Sequence, residues 1–323
     1  MTVQADHIIA AHEGWQKPGP EEQWSDSFYF GGGDGRGLAF YSRIGRRPNE
    51  GVIEGALGIW LPGQGFLLSF ARERSGEPSI ACGAALFECL QPLHSWELLF
   101  EGHGRLYERA EHIATKRDAY RDVHVTGSLQ FTAWGDPLSF RSGLSTPVAS
   151  AHYEQPGSLS GTIAVEGQRR QLDGKGMRDH SWGVRDWQRV PYWRWFGFIA
   201  DSENFLMLNN VGLEDGGETA GGFLMRDGEI APIVSGDTES ELDPELGCQR
   251  SFVARARDEN GRETVLEGRA LEVAPLRQRR AGRLTHVNEA LTDYGWEGRS
   301  GTGISEYLVQ TRGDAADESA GRE

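Results

Sequence analysis

Short apolar or alternating runs such as 37–44, 51–61, 65–72, 80–90 and 95–101 follow one another along the chain, parted by GRRPNE, PGQG and ERSGEP. Alternation with a period of two sends successive side chains to opposite faces of a strand, and Gly/Pro-rich punctuation closes hairpins. The pattern therefore predicts a meander of antiparallel strands. Evidence for helices is thin: 110–120 and the stretch near 149–154 are the best candidates, and neither is long enough to be stable without packing. Parallel strands need long, usually helical crossovers, and this sequence does not supply them. Composition agrees, because 44 glycines in 323 residues suit turns and bulges while 10 tryptophans suit β cores.

Two runs of strands emerge, and they predict an all-β protein of two antiparallel barrel or sandwich domains packed side by side, with few short helices. Residues 1–22, broken by Pro18, Gly19 and Pro20, read as an N-terminal arm. Residues 23–165 form the first expected β domain and 166–312 the second, which carries the string RDHSWGVRDW; 313–323 read as a charged, disordered tail. The runs flanking Glu166-Gly167 read as a tight hairpin.

A formal net charge of −15 disfavours nucleic acid and anionic lipid as partners. The sequence offers no apolar stretch long enough for a transmembrane helix and no basic-then-apolar leader, so a soluble cytoplasmic protein without integral membrane contact is expected. Cys82, Cys89 and Cys248 form no CxxC pair and read as reduced, buried thiols. The histidines lack HxH or HExxH spacing, and neither FGGGDGRG nor GKGMRD opens a helix as a phosphate loop must. No metal site and no required cofactor are expected.

The informative segment is 174–211, which gathers four tryptophans, four arginines and three aspartates in 38 residues. On a strand, His180 and Trp182 share one face while Asp179 and Ser181 share the other. Tyr192, Arg194, Phe196 and Phe198 likewise oppose Trp193, Trp195 and Ile199; one of these faces is expected to be core and the other cavity. Aromatic faces stabilise cations, and an imidazole moves protons near neutral pH, so this wall suits acid–base chemistry on an apolar, unsaturated guest. Glu306, a carboxyl on the apolar strand GISEYL, is a further candidate acid or base, with a salt bridge to an arginine of RDHSWGVRDW as its structural alternative.

The string RDHSWGVRDW, the aromatic strand after it and the terminal GISEYL resemble the hydroxyneurosporene synthase (carotenoid 1,2-hydratase) and AttH-like superfamily of double lipocalin-like proteins. The resemblance is strongest over 170–310. It implies two calycin barrels side by side, and relatives that include prenyl-chain hydratases and, more distantly, fungal pericyclases acting on apolar polyenes. It carries the hydratase His and Trp onto His180 and Trp182. The superfamily's later Tyr and Asp fall near Asn209 and Asn210, where this chain departs from the pattern.

The expected function is a hydratase, dehydratase or cyclase-like enzyme acting on a double bond of a hydrophobic isoprenoid or polyketide-like molecule; the alternative is a non-catalytic carrier of a lipid or other hydrophobic metabolite. Catalysis is assigned to His180 with Asp179, Asp201 or Glu306, and substrate binding to Trp182, Trp187, Tyr192, Trp193, Trp195, Phe196 and Asn210. The sequence leaves a homodimer open.

Overall fold

The computed structural model describes residues 8–76, 78–139, 151–185, 190–280 and 283–312. The first sheet comprises β1 (Trp24–Gly33), β2 (Ala39–Arg47), β3 (Val52–Leu61), β4 (Gly65–Arg74), β5 (Ile80–Cys82), β6 (Ala85–Gln91), β7 (Ser95–Tyr107), β8 (Tyr120–Ala133), β9 (Leu138–Ser139), β10 (Ala151–Val165) and β11 (Gln168–Val184). They run in the order β4-β3-β2-β1-β11-β10-β8-β7-β6-β5, with β9 beside β10. Phe66–Leu68 of β4 also pair with Arg105–Tyr107 of β7, which brings the sheet back on itself around a core that includes Phe28, Phe30, Phe40, Trp96, Phe100 and Phe131.

The second unit is a closed barrel of consecutive strands: β12 (Tyr192–Asp201), β13 (Asn204–Gly212), β14 (Glu218–Arg226), β15 (Glu229–Leu242), β16 (Gln249–Asp258), β17 (Glu263–Arg280), β18 (Arg283–Trp296) and β19 (Arg299–Arg312). Its interior holds Phe196, Phe198, Leu206, Leu208, Phe252, Tyr294 and Trp296. The predicted all-β pair of antiparallel barrels is the observed fold. The cysteines are free thiols, and among the described residues no helix is long and apolar enough to cross a membrane.

Three features differ from the sequence reading. The helix expected over 110–120 is one turn, His112–Thr115, and the described part of 149–154 belongs to β10. The sheets divide between Val184 and Tyr192 rather than at 165, so the strand bearing RDHSW lies in the first sheet, between β1 and β10. The cause is local. Glu166 and Gly167 both have positive φ (50° and 76°), the conformation of a two-residue hairpin, and such a turn obliges β11 to pair with β10.

The barrels meet face to face. Tyr29, Tyr41, Trp60 and Phe66 of the first pack with Ala274, Leu291, Ile304 and Trp195 of the second, and Met177 packs with Ile199, Phe205 and Met207. Close approach requires glycine at 197, where a Cβ would stand 2.6 Å from the Met177 methyl.

Candidate active site between the barrels

Strand register builds the site from two rows of side chains. In the first sheet, Ala56, Arg43, Tyr29, Asp179 and Glu154 are successive cross-strand partners over β3-β2-β1-β11-β10. In the second, Glu289, Glu306, Trp195 and Asn209 are successive partners over β18-β19-β12-β13. Cross-strand partners share a face, and both faces look into the seam. Between them lies a cavity of about 200 Å³ whose walls also include Ser27, Tyr41, His152, Ser181, Arg185 and Trp193, with Phe70, Leu276 and Val287 adding apolar surface.

The cavity concentrates carboxyls where water is scarce, which favours their neutral forms. Burial pushes Glu154 up to about 8, helped by the charge of Asp179, although the Trp195 indole N–H donates to its Oε1 at 2.8 Å. Asp179 is pushed up to about 7 by burial, against the pull of Arg185 and Arg43. Glu289 and Glu306 stand directly opposite each other on β18 and β19. Burial raises Glu289 well above the carboxylate range and the charge of Glu306 raises it further, against a smaller opposing effect of a weak hydrogen bond from the Tyr29 phenol. Burial also raises Glu306, which accepts a hydrogen bond from the Trp193 indole. The pair is therefore built to retain a proton at neutral pH.

Basic and donor groups complete the site. Burial lowers Arg185 to about 10, still a cation, and its Nη1 donates to Ser27 Oγ at 3.0 Å. His152 is driven down to about 3 by burial, Arg185 and His180, so its imidazole is neutral 3.5 Å from Glu154 Oε1. Among the described residues the Tyr29 and Tyr41 hydroxyls are buried without well-formed hydrogen bonds, as is one oxygen each of Glu154 and Glu289.

Of the residues singled out in the sequence, Asp179, Glu306, Trp193 and Trp195 meet in this cavity. The alternation on β12 is as expected: Phe196 fills the barrel, packing on Phe252 at 4.3 Å, and the Trp193/Trp195 face is the cavity wall. On β11 the cavity takes the Asp179/Ser181 face. His180 points the other way, fully buried, stacked on Phe28 at 3.8 Å, with Nε2 2.7 Å from Asp26 Oδ1. Its Nδ1 has no partner, and burial lowers its pKa, so it is a neutral imidazole donating through Nε2–H. Trp182 lies on that same side, against His12 (5.2 Å) and His180 (4.7 Å).

The other assignments fall elsewhere. Asp201 is exposed in the β12–β13 turn, accepting from Glu203 N and Asn204 Nδ2 at 2.9 and 3.0 Å. Tyr192 donates to Glu218 at 2.5 Å, and Asn210 is buried among Glu218, Gly236 and Thr238, while its neighbour Asn209 lines the cavity. Trp187 lies outside the described residues.

His180 instead anchors the N-terminal arm. Asp26 accepts from both His180 and the Gln16 backbone N–H (2.7 Å), and Arg178 of the same string holds buried Glu13 at 3.0 Å. Sequence reasoning missed Arg43, Tyr29, Tyr41, His152 and Glu154. The signal lay in alternation: once Asp179 and Ser181 face the cavity, register brings these neighbours to the same face.

This architecture is that of double-barrel AttH-like proteins. The chain belongs to the DUF7064 family, a domain of unknown function, which matches residues 10–311. No curated protein matches it. Its structure is similar to that of an AttH-like protein (NE1406) from Nitrosomonas europaea, with a TM-score of 0.66 and 13% identity over 96% of this chain and 98% of that one. It is also similar to CghA with Sch210972 (TM-score 0.58, 11% identity, 91% and 90% coverage) and to kievitone hydratase from Nectria haematococca (0.58, 10%, 95% and 94%).

Proposed function

We propose that the cavity between the barrels is the active site of a hydratase, dehydratase or cyclase-type enzyme acting on a double bond of a hydrophobic small molecule. The observation that carries this reading is the gathering of four carboxyls, Glu154 and Glu289 buried and Asp179 and Glu306 half-buried, around one cavity walled by two indoles. Burying carboxyls is costly, and a binding protein for an apolar guest gains nothing from it. A proton held at neutral pH beside a carbon–carbon double bond is what addition of water or ring closure needs.

The Glu289–Glu306 pair, its Glu306 member held by the Trp193 indole, serves as general acid. Asp179, pushed up to about 7, is matched to take the proton from an attacking water. Trp193 and Trp195 present ring faces to the guest while their N–H groups hold the carboxyls. The fold shared with a kievitone hydratase and with CghA is compatible with such chemistry. Carotenoid hydration with His180 as the acid fits poorly, because that imidazole is sealed against Phe28.

The test is to incubate a small-molecule extract of the source cells with the protein in ¹⁸O-labelled water and compare wild type with Glu306→Gln by mass spectrometry. The reading expects a species that gains or loses labelled water, or isomerises, with wild type alone. An unchanged extract, or equal conversion by both proteins, defeats it.

A further inference from the structure

The phenols of Tyr29 and Tyr41 are a second buried feature of the cavity, separate from its carboxyls. They stand on adjacent strands with rings 6.5 Å apart and 5° from parallel, and are 9% and 2% exposed. Among the described residues neither hydroxyl makes a well-formed hydrogen bond, Tyr29 giving at most a weak one to Glu289, and both residues line the cavity. A buried, unpaired hydroxyl costs stability, so two side by side are a standing expense unless something else uses them.

The two hydroxyls share surroundings. Both phenols are pushed well above their ordinary range, first by burial and then by the negative charges of Glu289 and Glu306, which places both near the carboxyl pair. They therefore remain protonated and act as donors. A pair of fixed donors in a low-dielectric site matches a carbonyl oxygen, which has two lone pairs, and matches still better the enolate oxygen that forms when such a carbonyl is conjugated to a reacting double bond.

We propose that Tyr29 and Tyr41 bind the carbonyl oxygen of the substrate, so that the substrate class is α,β-unsaturated carbonyl compounds, or their β-hydroxy hydrates, bearing an apolar body. This rests on the cavity being the active site and narrows what reacts there. In hydration, Asp179 removes a proton from water as the oxygen bonds to the β-carbon. The π electrons move onto the carbonyl oxygen, which the two phenols hold as an enolate. The Glu289–Glu306 pair then delivers its proton to the α-carbon, the carbonyl re-forms, and the proton on Asp179 returns to the carboxyl pair. Dehydration runs the same steps in reverse. No free carbocation is formed, and the indoles bind the apolar body.

The test uses 2-acetylnaphthalene and its oxygen-free counterpart 2-ethylnaphthalene as probes, with binding followed by calorimetry and the ketone carbonyl stretch by infrared difference spectroscopy. Two net hydrogen bonds predict about a tenfold preference for the ketone in wild type. They also predict a carbonyl stretch shifted to lower frequency. Tyr29→Phe and Tyr41→Phe should each reduce both effects, and the double variant should bind ketone and hydrocarbon equally. Because Tyr41 has no partner to lose and Tyr29 at most a weak contact with Glu289, the Phe variants should melt close to wild type, which separates loss of recognition from loss of fold. Equal affinity for the two probes in wild type, or a preference and stretch unchanged in the double variant, overturns the carbonyl assignment while leaving the cavity as an acid–base site. If neither probe binds, the carbonyl assignment fails, and the labelled-water comparison then decides independently whether the cavity is catalytic.

Discussion

Glu306 lines the cavity half-buried and His180 is sealed in the first barrel, and they answer to different demands. Glu306 sits against Glu289 and an indole N–H at the edge of a cavity, so Glu306→Gln keeps the shape while breaking the carboxyl pair that shares the transferable proton. We expect turnover to fall by about 10²-fold or more with little change in ligand affinity, read from kcat and KM. If Asp179 is the base, activity should rise with pH through about 7, and that limb should vanish in Asp179→Asn. His180 faces the core of the first barrel, where it satisfies the wholly buried carboxylate of Asp26. His180→Ala leaves that charge with Arg46 at 3.7 Å and the Gln16 amide. Loss of that hydrogen bond and of the ring stacked on Phe28 should cost about 2–5 kcal/mol in urea unfolding.

Strands explain how much could be read in advance. Alternation predicted which residues of β11 and β12 travel together, but not which face would find a neighbouring barrel, since that depends on packing far away in sequence. On β12 a row of Phe against a row of Trp leaves either as core; on β11 the string His180–Trp182 drew attention to the face that is in fact sealed. Glu154 was hidden for another reason: its surroundings read as a helix candidate, whereas pairing with β11 makes it part of β10. The N-terminal arm, read as a mere lead-in, inserts Glu13 between Arg178, Tyr153 and Trp96. Glu13→Ala should therefore destabilise the first barrel by about 3–5 kcal/mol and expose the arm to limited proteolysis, because Arg178 would be left buried and unpaired.

Across the whole molecule, the cavity carboxyls draw stability down as pH rises, while His152 in the same cavity, driven down to about 3, acts in the opposite sense up to its ordinary value of 6.5. Glu154 titrates at about 8 in the folded protein, against an ordinary glutamate value of 4.5. As pH rises through 4.5 the unfolded chain gives up this proton while the folded protein keeps it, so stability falls from there to about 8. Asp179 acts the same way up to about 7. Glu154→Gln should flatten that decline and be the more stable protein at the alkaline end, by on the order of a few kcal/mol, as measured by urea unfolding across the window.

The seam that holds the proton donors opposite the phenols is also a ruler. At Gly197 a single added methyl would stand 2.6 Å from the Met177 methyl and the Trp195 ring edge, so the Met177 side chain would have to turn aside and the packing along the seam would change. The fit between the two rows is thus adjustable by residues outside the cavity. Variation along the contact, rather than within the hollow, offers a route by which one scaffold could be refitted to longer or shorter molecules.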